Sequence, residues 1–208
     1  MNPSLEATPG ATPEGALDSG ASLMVAWQGG DESAFERLVA EYSGPVFGLL
    51  TRFLGTHPGR EDMVQDVFLR VVRAKDRYEP TARFTTWLYR IAYNMAVNET
   101  QRRGGRKPAS LSGSGDEGMA PPDPVDEKVD MPLDALQRGD TVSAVREAIA
   151  DLPENQRMAL VLAKYEDMPY AEIAGVLHSS EKAIKSLIHR ARETLRVRLA
   201  PLLAQEPA

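Results

Sequence analysis

The chain has 208 residues, of which 42% are hydrophobic and 26% are charged, with no cysteine and a formal net charge of -6. This length suits one large or two small globular domains, and the absence of cysteine excludes disulfides, thiolate zinc sites and cysteine nucleophiles. No apolar run approaches the roughly 18 residues of a membrane-spanning helix, so we expect a cytoplasmic protein. Residues 1–20 lack the basic start and apolar core of a secretory signal and are predicted to be a disordered tail.

Apolar residues recur at helical spacing along most of the chain, without the alternation that is typical of strands. The first predicted helix is short, Leu23–Trp27, and two glycines end it. Asp31 or Ser33 is expected to cap the second helix, where the segment SAFE fits a capping box. The pair Gly44-Pro45 should kink or split this second helix, and Gly55 should end it.

The third and fourth helices are predicted from about Pro58 to Ala74 and from about Phe84 to Arg103. One face of the fourth helix is apolar and is assigned to the core: Leu88, Ile91, Ala92 and Met95. Other positions fall outside that face: Tyr89, Arg90, Tyr93, Asn94 and Val97, with Trp87 and Asn98 on its flank. Aromatic rings stack on unpaired bases, Asn reads base edges and Arg neutralises phosphates, so this helix suits single-stranded DNA. The alternative is an ordinary amphipathic helix whose Tyr rings lie over the core.

The composition changes after the fourth helix. Residues 108–140 are rich in Gly, Pro, Ser and acidic residues and have no apolar periodicity, which predicts a flexible linker. Helical spacing returns in residues 141–203, and residues 204–208 form a short tail. The sequence therefore predicts an all-α fold in which two small helical domains, residues 21–107 and 141–203, are joined by the linker.

The second domain is predicted to begin at an N-cap formed by Thr141, with its next two helices starting at Pro153 and Pro169. A turn at His178-Ser179-Ser180 leads into a long final helix, which completes a helix-turn-helix. The buried face of the final helix is predicted to be Ile184, Ile188, Ala191 and Leu195. Its other face is polar and cationic, as in a helix that reads the major groove: Lys182, Lys185, Ser186, His189, Arg190, Arg192 and Arg196. The alternative is a basic surface helix in a small bundle.

A negative total charge argues against nucleic-acid binding, but the charge of this chain is segregated. Between Lys182 and Arg198 there are six Lys and Arg residues and one acid, Glu193. Between Gln101 and Lys107 there are four Lys and Arg residues and no acid. The two basic segments can therefore contact DNA while the acidic remainder faces a basic protein or keeps the chain soluble.

Motifs for catalysis and for metal binding are missing from the sequence. It contains no Walker phosphate loop, no GxGxxG, no HExxH and no nucleophile elbow around a Ser. The three histidines, His57, His178 and His189, are not at the spacing of metal ligands. Asp62 and Asp66 share a helical face, which suits solvent or a partner better than a metal. We therefore expect no enzyme, no cofactor and no metal site.

Several segments together resemble one family. GDESAFERLV, REDMVQDVFLRVVR and RFTTWLYRIAYNMAVNETQRRGGRKP resemble region 2 of the extracytoplasmic-function (group 4) subfamily of bacterial sigma factors, the ECF sigma factors. LPENQRMALVLAKYEDMPYAEIAGVL and IKSLIHRARETLRVRL resemble its region 4. The resemblance covers most of the chain between residues 21 and 199 apart from the linker, and it implies two helical domains and a role in transcription initiation.

The resemblance also implies a role for each segment. The fourth helix and its flanks would capture melted bases of the −10 element through Arg83, Phe84, Thr85, Trp87, Tyr89, Arg90, Tyr93, Asn94, Asn98, Arg102 and Arg103. The final helix would read the −35 element as duplex through Ser180, Lys182, Lys185, Ser186, His189, Arg190 and Arg192. The third helix would meet the clamp coiled coil of the largest polymerase subunit through Asp62, Gln65, Asp66, Phe68, Leu69 and Val72. The implied partners are core RNA polymerase, promoter DNA and an anti-sigma factor.

The second domain departs from the family's pattern at several positions. The family usually has Gly where this chain has His178, and an apolar residue at Ser179. Lys182, Ala183 and Leu187 stand where the family often has Gly, Thr and Arg. These departures imply unusual promoter specificity or weakened DNA binding. They leave two alternatives open, a stand-alone helix-turn-helix regulator and a sigma-like scaffold that binds protein only.

Overall fold

The computed structural model describes residues 17–55, 57–103 and 139–203, and in these ranges it contains helices and no strand, as the predicted all-α fold requires. The first block holds α1 (Ser19–Gln28), α2 (Glu32–Leu54), α3 (Arg60–Ala74), a 3₁₀ turn (Lys75–Arg77) and α4 (Phe84–Arg103). The second block holds α5 (Gly139–Ala150), α6 (Glu154–Tyr165), α7 (Tyr170–Leu177) and α8 (Glu181–Leu203). The predicted linker up to residue 138, residues 1–16 of the predicted N-terminal tail and all of the C-terminal tail lie outside the described residues.

A single carboxylate caps both α1 and α4. Asp18 accepts a hydrogen bond of 2.8 Å from the backbone N–H of Ala21 and another of 2.8 Å from the backbone N–H of Phe84. Each bond satisfies a donor that the first turn of a helix leaves without an intrahelical partner. Asp18 therefore fixes the start of α4 relative to α1, and α1 begins earlier than the predicted Leu23.

Of the two predicted caps of the second helix, Asp31 is the one that the structure shows, and the helix is not split. The cap is Asp31, whose side chain accepts a bond of 3.1 Å from the N–H of Ser33, so Ser33 lies inside the first turn. The helix continues through Pro45, because the missing proline N–H removes only one of the hydrogen bonds along the helix. Gly55 ends the helix at φ 68°, a left-handed conformation that favours glycine, which confirms that prediction.

The start of the second block also differs from the prediction. The first helix of this block, α5, begins at Gly139, so Thr141 lies within it and does not cap it. Thr is only mildly unfavourable in a helix, so a possible cap residue need not mark the helix start. Pro153 and Pro169 directly precede α6 and α7, in agreement with the sequence.

The turn between α7 and α8 has a left-handed backbone conformation at His178, the position where the resembling family usually has Gly. His178 has φ 50° and ψ 48°, and its N–H donates to the carbonyl of Ala174. Ser180 then caps α8, because its Oγ accepts from the N–H of Ala183 at 3.2 Å. The side chain of His178 therefore does not prevent the tight turn, although a non-glycine residue is less favourable there.

The two blocks pack against each other and share one hydrophobic core. Contacts run between α4 and α7, between α2 and α6, and between α2 and α5. The main cluster of buried residues includes Leu50 and Phe53 of the first block together with Met158 and Ile173 of the second. A smaller cluster lies between α5, α6 and α8. This packing covers part of the α4 surface, which sequence reasoning placed outside the core.

Candidate nucleic-acid and polymerase interfaces

The final helix presents the predicted cationic face to solvent. The predicted buried face is confirmed, since Ile184, Ile188, Ala191 and Leu195 are all buried. The side chains on the other face are exposed: Ser180, Lys182, Lys185, His189, Arg190 and Arg192. Ser186 is half-buried and donates to the carbonyl of Lys182 at 3.2 Å. Lys185 forms an exposed ion pair with Glu181 at 3.5 Å, which a phosphate can readily replace.

The third helix carries an exposed face of acidic, amide and apolar side chains. Asp62, Gln65 and Asp66 are exposed, and Leu69 and Val72 are 50% and 41% exposed. Two large aliphatic side chains beside acids on one helix are typical of a protein-binding surface. Phe68 was predicted to belong to this face, but its ring is buried in the main core because its position on the helix turns inward.

An aromatic cluster forms the beginning of α4. Phe84 was predicted to contact DNA, but it is fully buried, with its ring centroid 4.9 Å from that of Tyr42. Trp87 is half-buried, with its ring centroid 4.9 Å from that of Tyr78 and 5.7 Å from that of Phe84. Phe84 is therefore a core residue that supports Trp87, and Trp87 is the ring of the pair that reaches the surface.

The two predicted base-stacking tyrosines of α4 are covered by the second block. Tyr89 and Tyr93 are 4% and 5% exposed. The Tyr89 hydroxyl donates to Glu166 at 2.6 Å, and the Tyr93 hydroxyl donates to the side-chain oxygen of Asn155. Burial is the main cause that raises the pKa of both phenols, and it raises the pKa of Tyr93 to about 12. The prediction that these positions lie outside the core is wrong here, because α6 and α7 cover them.

Other predicted α4 residues differ in their access to solvent. Arg83 is exposed and pairs with Glu172 at 3.3 Å, and Arg102 is exposed and pairs with Glu99 at 3.4 Å. Three further predicted residues are half-buried: Thr85, Arg90 and Asn94. The side-chain oxygen of Asn94 is buried without a hydrogen-bond partner, whereas Asn98 is exposed. The side chain of Arg103 lies outside the described residues.

Residues of α6 and α7 complete this surface, and sequence reasoning missed them. Glu172 accepts from the Thr86 hydroxyl at 3.3 Å, and Glu154 accepts from the hydroxyl of Thr100. Arg157 donates to the carbonyl of Phe53 at 2.7 Å. Nothing in the local pattern marks them, because their partners lie 54 to 104 positions away in the chain.

In residues 17–55, 57–103 and 139–203, no group of three or more His, Cys, Asp or Glu side chains is placed to hold a metal ion. No helix in the same part of the chain has the length and hydropathy needed to cross a bilayer.

Comparisons with known proteins agree with these two blocks. Residues 38–106 match the family model for sigma-70 region 2, and residues 143–195 match the model for sigma-70, region 4. The RNA polymerase sigma-H factor of Pseudomonas aeruginosa is 35% identical over 178 residues, which cover 86% of this chain and 92% of that protein. The ECF RNA polymerase sigma-E factor of Escherichia coli K12 is 32% identical over 178 residues, which cover 85% and 92%.

Solved structures show the same fold. CnrH, solved in complex with the cytosolic domain of CnrY, is 25% identical with a TM-score of 0.62, and the match covers 91% of this chain and 100% of that one. The sigma factor RpoE of Bartonella quintana, solved in complex with the anti-sigma factor NepR, is 20% identical with a TM-score of 0.57. The match covers 80% of this chain and 96% of that one, and at this identity it supports the fold alone. The chain belongs to the sigma-70 family, among the ECF RNA polymerase sigma factors.

Proposed function

We propose that this sigma factor binds core RNA polymerase through α3, reads the −35 element as duplex through α8, and holds melted −10 bases on α4. The observation that carries the proposal is the exposed cationic face of α8, which follows a helix-turn-helix turn of the required geometry. Such a face neutralises phosphates and reaches base edges in the major groove. The departures at His178 and Leu187 leave this face exposed, so they bear on which sequence is read.

The role of α3 rests on its surface. Leu69 and Val72 are too exposed to belong to the core, and the acids beside them suit a basic partner helix. The proposed partner of this face is the clamp coiled coil of the largest polymerase subunit. Phe68 is left out of the proposed contact because it supports the face from within the core.

The role of α4 rests on Trp87, Tyr89, Tyr93 and Asn94. Aromatic rings and an amide on one helix can stack on flipped-out bases and bond to their edges. Of the three rings only Trp87 is partly exposed in this structure, since Tyr89 and Tyr93 are buried under the second block. Asn94 brings a buried acceptor without a partner, which a base amino group would satisfy. The linker between the domains would let α4 and α8 reach elements that are separated along the DNA.

We also propose that an anti-sigma protein controls the chain. This step follows membership of the ECF sigma factors, and CnrH, which is 25% identical to this chain, was solved in complex with the cytosolic domain of another protein, CnrY. An ECF factor that bound promoters without control would transcribe its genes continuously, so a partner that covers α3 or α8 is expected.

The test is transcription in a defined mixture. Purified chain and core polymerase are incubated with fragments of the source genome, and runoff transcripts are mapped, with core alone and core with a known sigma factor as controls. Specific starts that require this chain support the proposal, and their alignment gives the promoter. If the known sigma factor produces starts while this chain neither joins core nor produces any, a regulator or a scaffold is the better account.

A further inference from the structure

The first turn of α4, which carries Trp87, cannot be capped by the residue at its own N-cap position. The N–H of Trp87 donates to the carbonyl of Arg83 at 3.3 Å, so Arg83 stands at that position. The Arg83 side chain has donors and no acceptor, so it cannot receive a free N–H of the first turn. The turn with the proposed base-stacking ring therefore depends on a capping group from elsewhere in the chain.

Asp18, which lies 66 positions before Phe84, supplies that cap. One of its carboxylate oxygens accepts from the N–H of Phe84 at 2.8 Å, and the other accepts from the N–H of Ala21 in α1 at 2.8 Å. The carboxylate also lies at the positive ends of two helix dipoles, which favours its negative charge. Because each oxygen has its own N–H partner, an amide at this position could accept only one of the two bonds.

The opposite end of α1 supports a second neighbour of Trp87. The side-chain amide of Gln28 donates to the carbonyls of Lys75 and Tyr78, at 2.7 Å and 3.0 Å. These bonds hold the segment that leads from the 3₁₀ turn into Tyr78. The buried ring of Tyr78 packs edge-on against Trp87, with ring centroids 4.9 Å apart. The two ends of α1 therefore hold two different neighbours of Trp87.

Between its two ends, α1 packs directly on Phe84. A Cβ built at Gly20 would lie 2.2 Å from a ring carbon of Phe84, so the backbone of α1 touches this ring. The Phe84 ring is fully buried, and its centroid is 5.7 Å from that of Trp87. The half-buried Trp87 thus rests on two rings that α1 keeps in place. A side chain that is already held in one conformation loses less conformational entropy when it binds.

We propose that α1 positions Trp87 for the capture of a melted base, with Asp18 and Gln28 as the positioning residues. The inference rests on the proposed role of α4. Asp18 and Gln28 act through Trp87 and need no contact with the DNA strand. The match to the region 2 family model begins at residue 38, so it gives α1 no part in this step.

Fluorine NMR of the chain labelled with 5-fluorotryptophan tests the positioning without DNA. The chain has two tryptophans, and the Trp87→Ala variant identifies the resonance of Trp87. We expect Asp18→Ala and Gln28→Met each to shift and broaden this resonance, because the ring samples more conformations. Asp31→Ala is the matched control, since Asp31 is also a capping carboxylate but caps α2. It should leave the Trp87 resonance unchanged.

The effect on strand capture is measured with holoenzyme on a promoter found with the wild-type chain. Permanganate reactivity of promoter thymines reports opening, gel filtration reports core binding, and anisotropy reports −35 duplex binding. Asp18→Ala should lower opening about fivefold or more and leave both binding activities unchanged, whereas Asp18→Asn should lose less because it keeps one cap. In a Trp87→Ala background, Asp18→Ala should cause no further loss of opening, since a residue that acts through another is not additive with it.

Three results would overturn the inference. One is a Trp87 resonance that neither Asp18→Ala nor Gln28→Met changes. Another is an equal loss of opening in Asp18→Ala and Asp31→Ala, which would mean that opening follows general stability. The third is additive losses of opening from Asp18→Ala and Trp87→Ala.

Failure of the proposed function gives a different result. The wild-type chain would then open no promoter, while the resonance of Trp87 would still respond to Asp18→Ala and Gln28→Met. If Asp18→Ala does not fold, Gln28→Met decides the inference by the same three outcomes, because methionine has about the length of glutamine and lacks its N–H donors.

Discussion

At the scale of single residues, α8 has buried apolar side chains on one face and exposed cationic side chains on the other. Ile184 and Ile188 are buried, whereas Lys185 on the opposite face is exposed and its carbon chain ends in solvent. A lysine in that position contributes a point charge that neutralises a phosphate and releases a counterion. Its contribution to binding should therefore depend on salt.

Replacing Lys185 by alanine should weaken −35 duplex binding and lower the slope of log affinity against log salt by about 1. The measurement is anisotropy of a labelled promoter duplex at several salt concentrations. Lys164→Ala is the matched control, since Lys164 is an exposed lysine on α6 that does not belong to the proposed DNA-binding set. If both variants leave affinity and slope unchanged, Lys185 does not contact the phosphate backbone.

Trp87→Ala should impair promoter opening far more than core binding. Base–aromatic stacking contributes roughly 1–3 kcal/mol, so strand capture should weaken about tenfold or more. Permanganate reactivity of promoter thymines reports opening, and gel filtration reports core binding. Because Trp87 also packs on Tyr78 and Phe84, Ile91→Ala, another half-buried side chain of α4, controls for lost packing. Equal losses of opening in both variants would remove Trp87 from base capture.

At the scale of helices, apolar periodicity predicted most of what the structure shows. The bounds of α4 agree at Phe84 and Arg103, and Gly55 ends α2 as expected. Local cap signals were less reliable, since Ser33 and Thr141 both lie inside helices. A cap depends on which nearby side chain reaches the free N–H groups, and several polar residues compete for that position.

The largest error in the candidate site concerns which faces of α4 are buried, whereas the bounds of α4 itself were predicted correctly. A helical wheel finds the side of α4 that packs in its own domain, but it cannot show that a second domain covers the other side. Tyr89 and Tyr93 were assigned outside the core and are buried by residues more than 60 positions away. Tyrosine is equally suited to a base-stacking surface and to a polar interface, so its identity does not distinguish them.

The contact between α1 and α4 requires a glycine. A Cβ built at Gly20 would lie 2.2 Å and 2.5 Å from two ring carbons of the fully buried Phe84. Gly20→Ala should therefore lower the free energy of unfolding by about 1–3 kcal/mol, because the ring has no space into which to move. The midpoint of urea denaturation measures this change.

Gly44→Ala is the matched control for Gly20→Ala. Gly44 lies in α2, is exposed, and has nothing within 4 Å of a built Cβ. The same substitution there should change stability by less than about 1 kcal/mol, because the higher helix propensity of alanine is opposed by the steric restriction that Pro45 places on the residue before it. A Gly20 variant as stable as the Gly44 variant would show that α1 does not pack on Phe84 as the structure has it.

At the scale of the whole molecule, charge is arranged in three surfaces with different partners. The cationic face of α8 suits DNA, the acidic and apolar face of α3 suits a protein, and the acidic surface of α6 and α7 contacts α4 of the same chain. This segregation explains how a chain with a net charge of -6 can bind DNA. It also predicts that the packing of the second domain on α4 depends on a few carboxylates.

Glu166→Gln combined with Glu172→Gln should weaken the packing of the second domain on the first. The change removes the ion pairs with Arg52 and Arg83, and it replaces charge-assisted hydrogen bonds, such as that from Tyr89, by neutral ones. Charge-assisted bonds are roughly twice as strong as neutral ones. A combined loss of about 1.4 kcal/mol would lower the ratio of chains with packed domains to chains with separated domains about tenfold.

Energy transfer between two dyes measures that ratio. Cysteines introduced at two exposed positions, Arg37 of α2 and Ala200 of α8, give one dye on each domain, because the chain has no other thiol. Glu36→Gln with Glu193→Gln is the control, since it changes the net charge by the same amount at an exposed residue of α2 and at a residue that pairs within α8, with Arg196. Transfer should fall in the interface variant alone. An equal fall in both variants would mean that total charge governs the packing of the two domains. No change in either would mean that Glu166 and Glu172 do not hold the domains together.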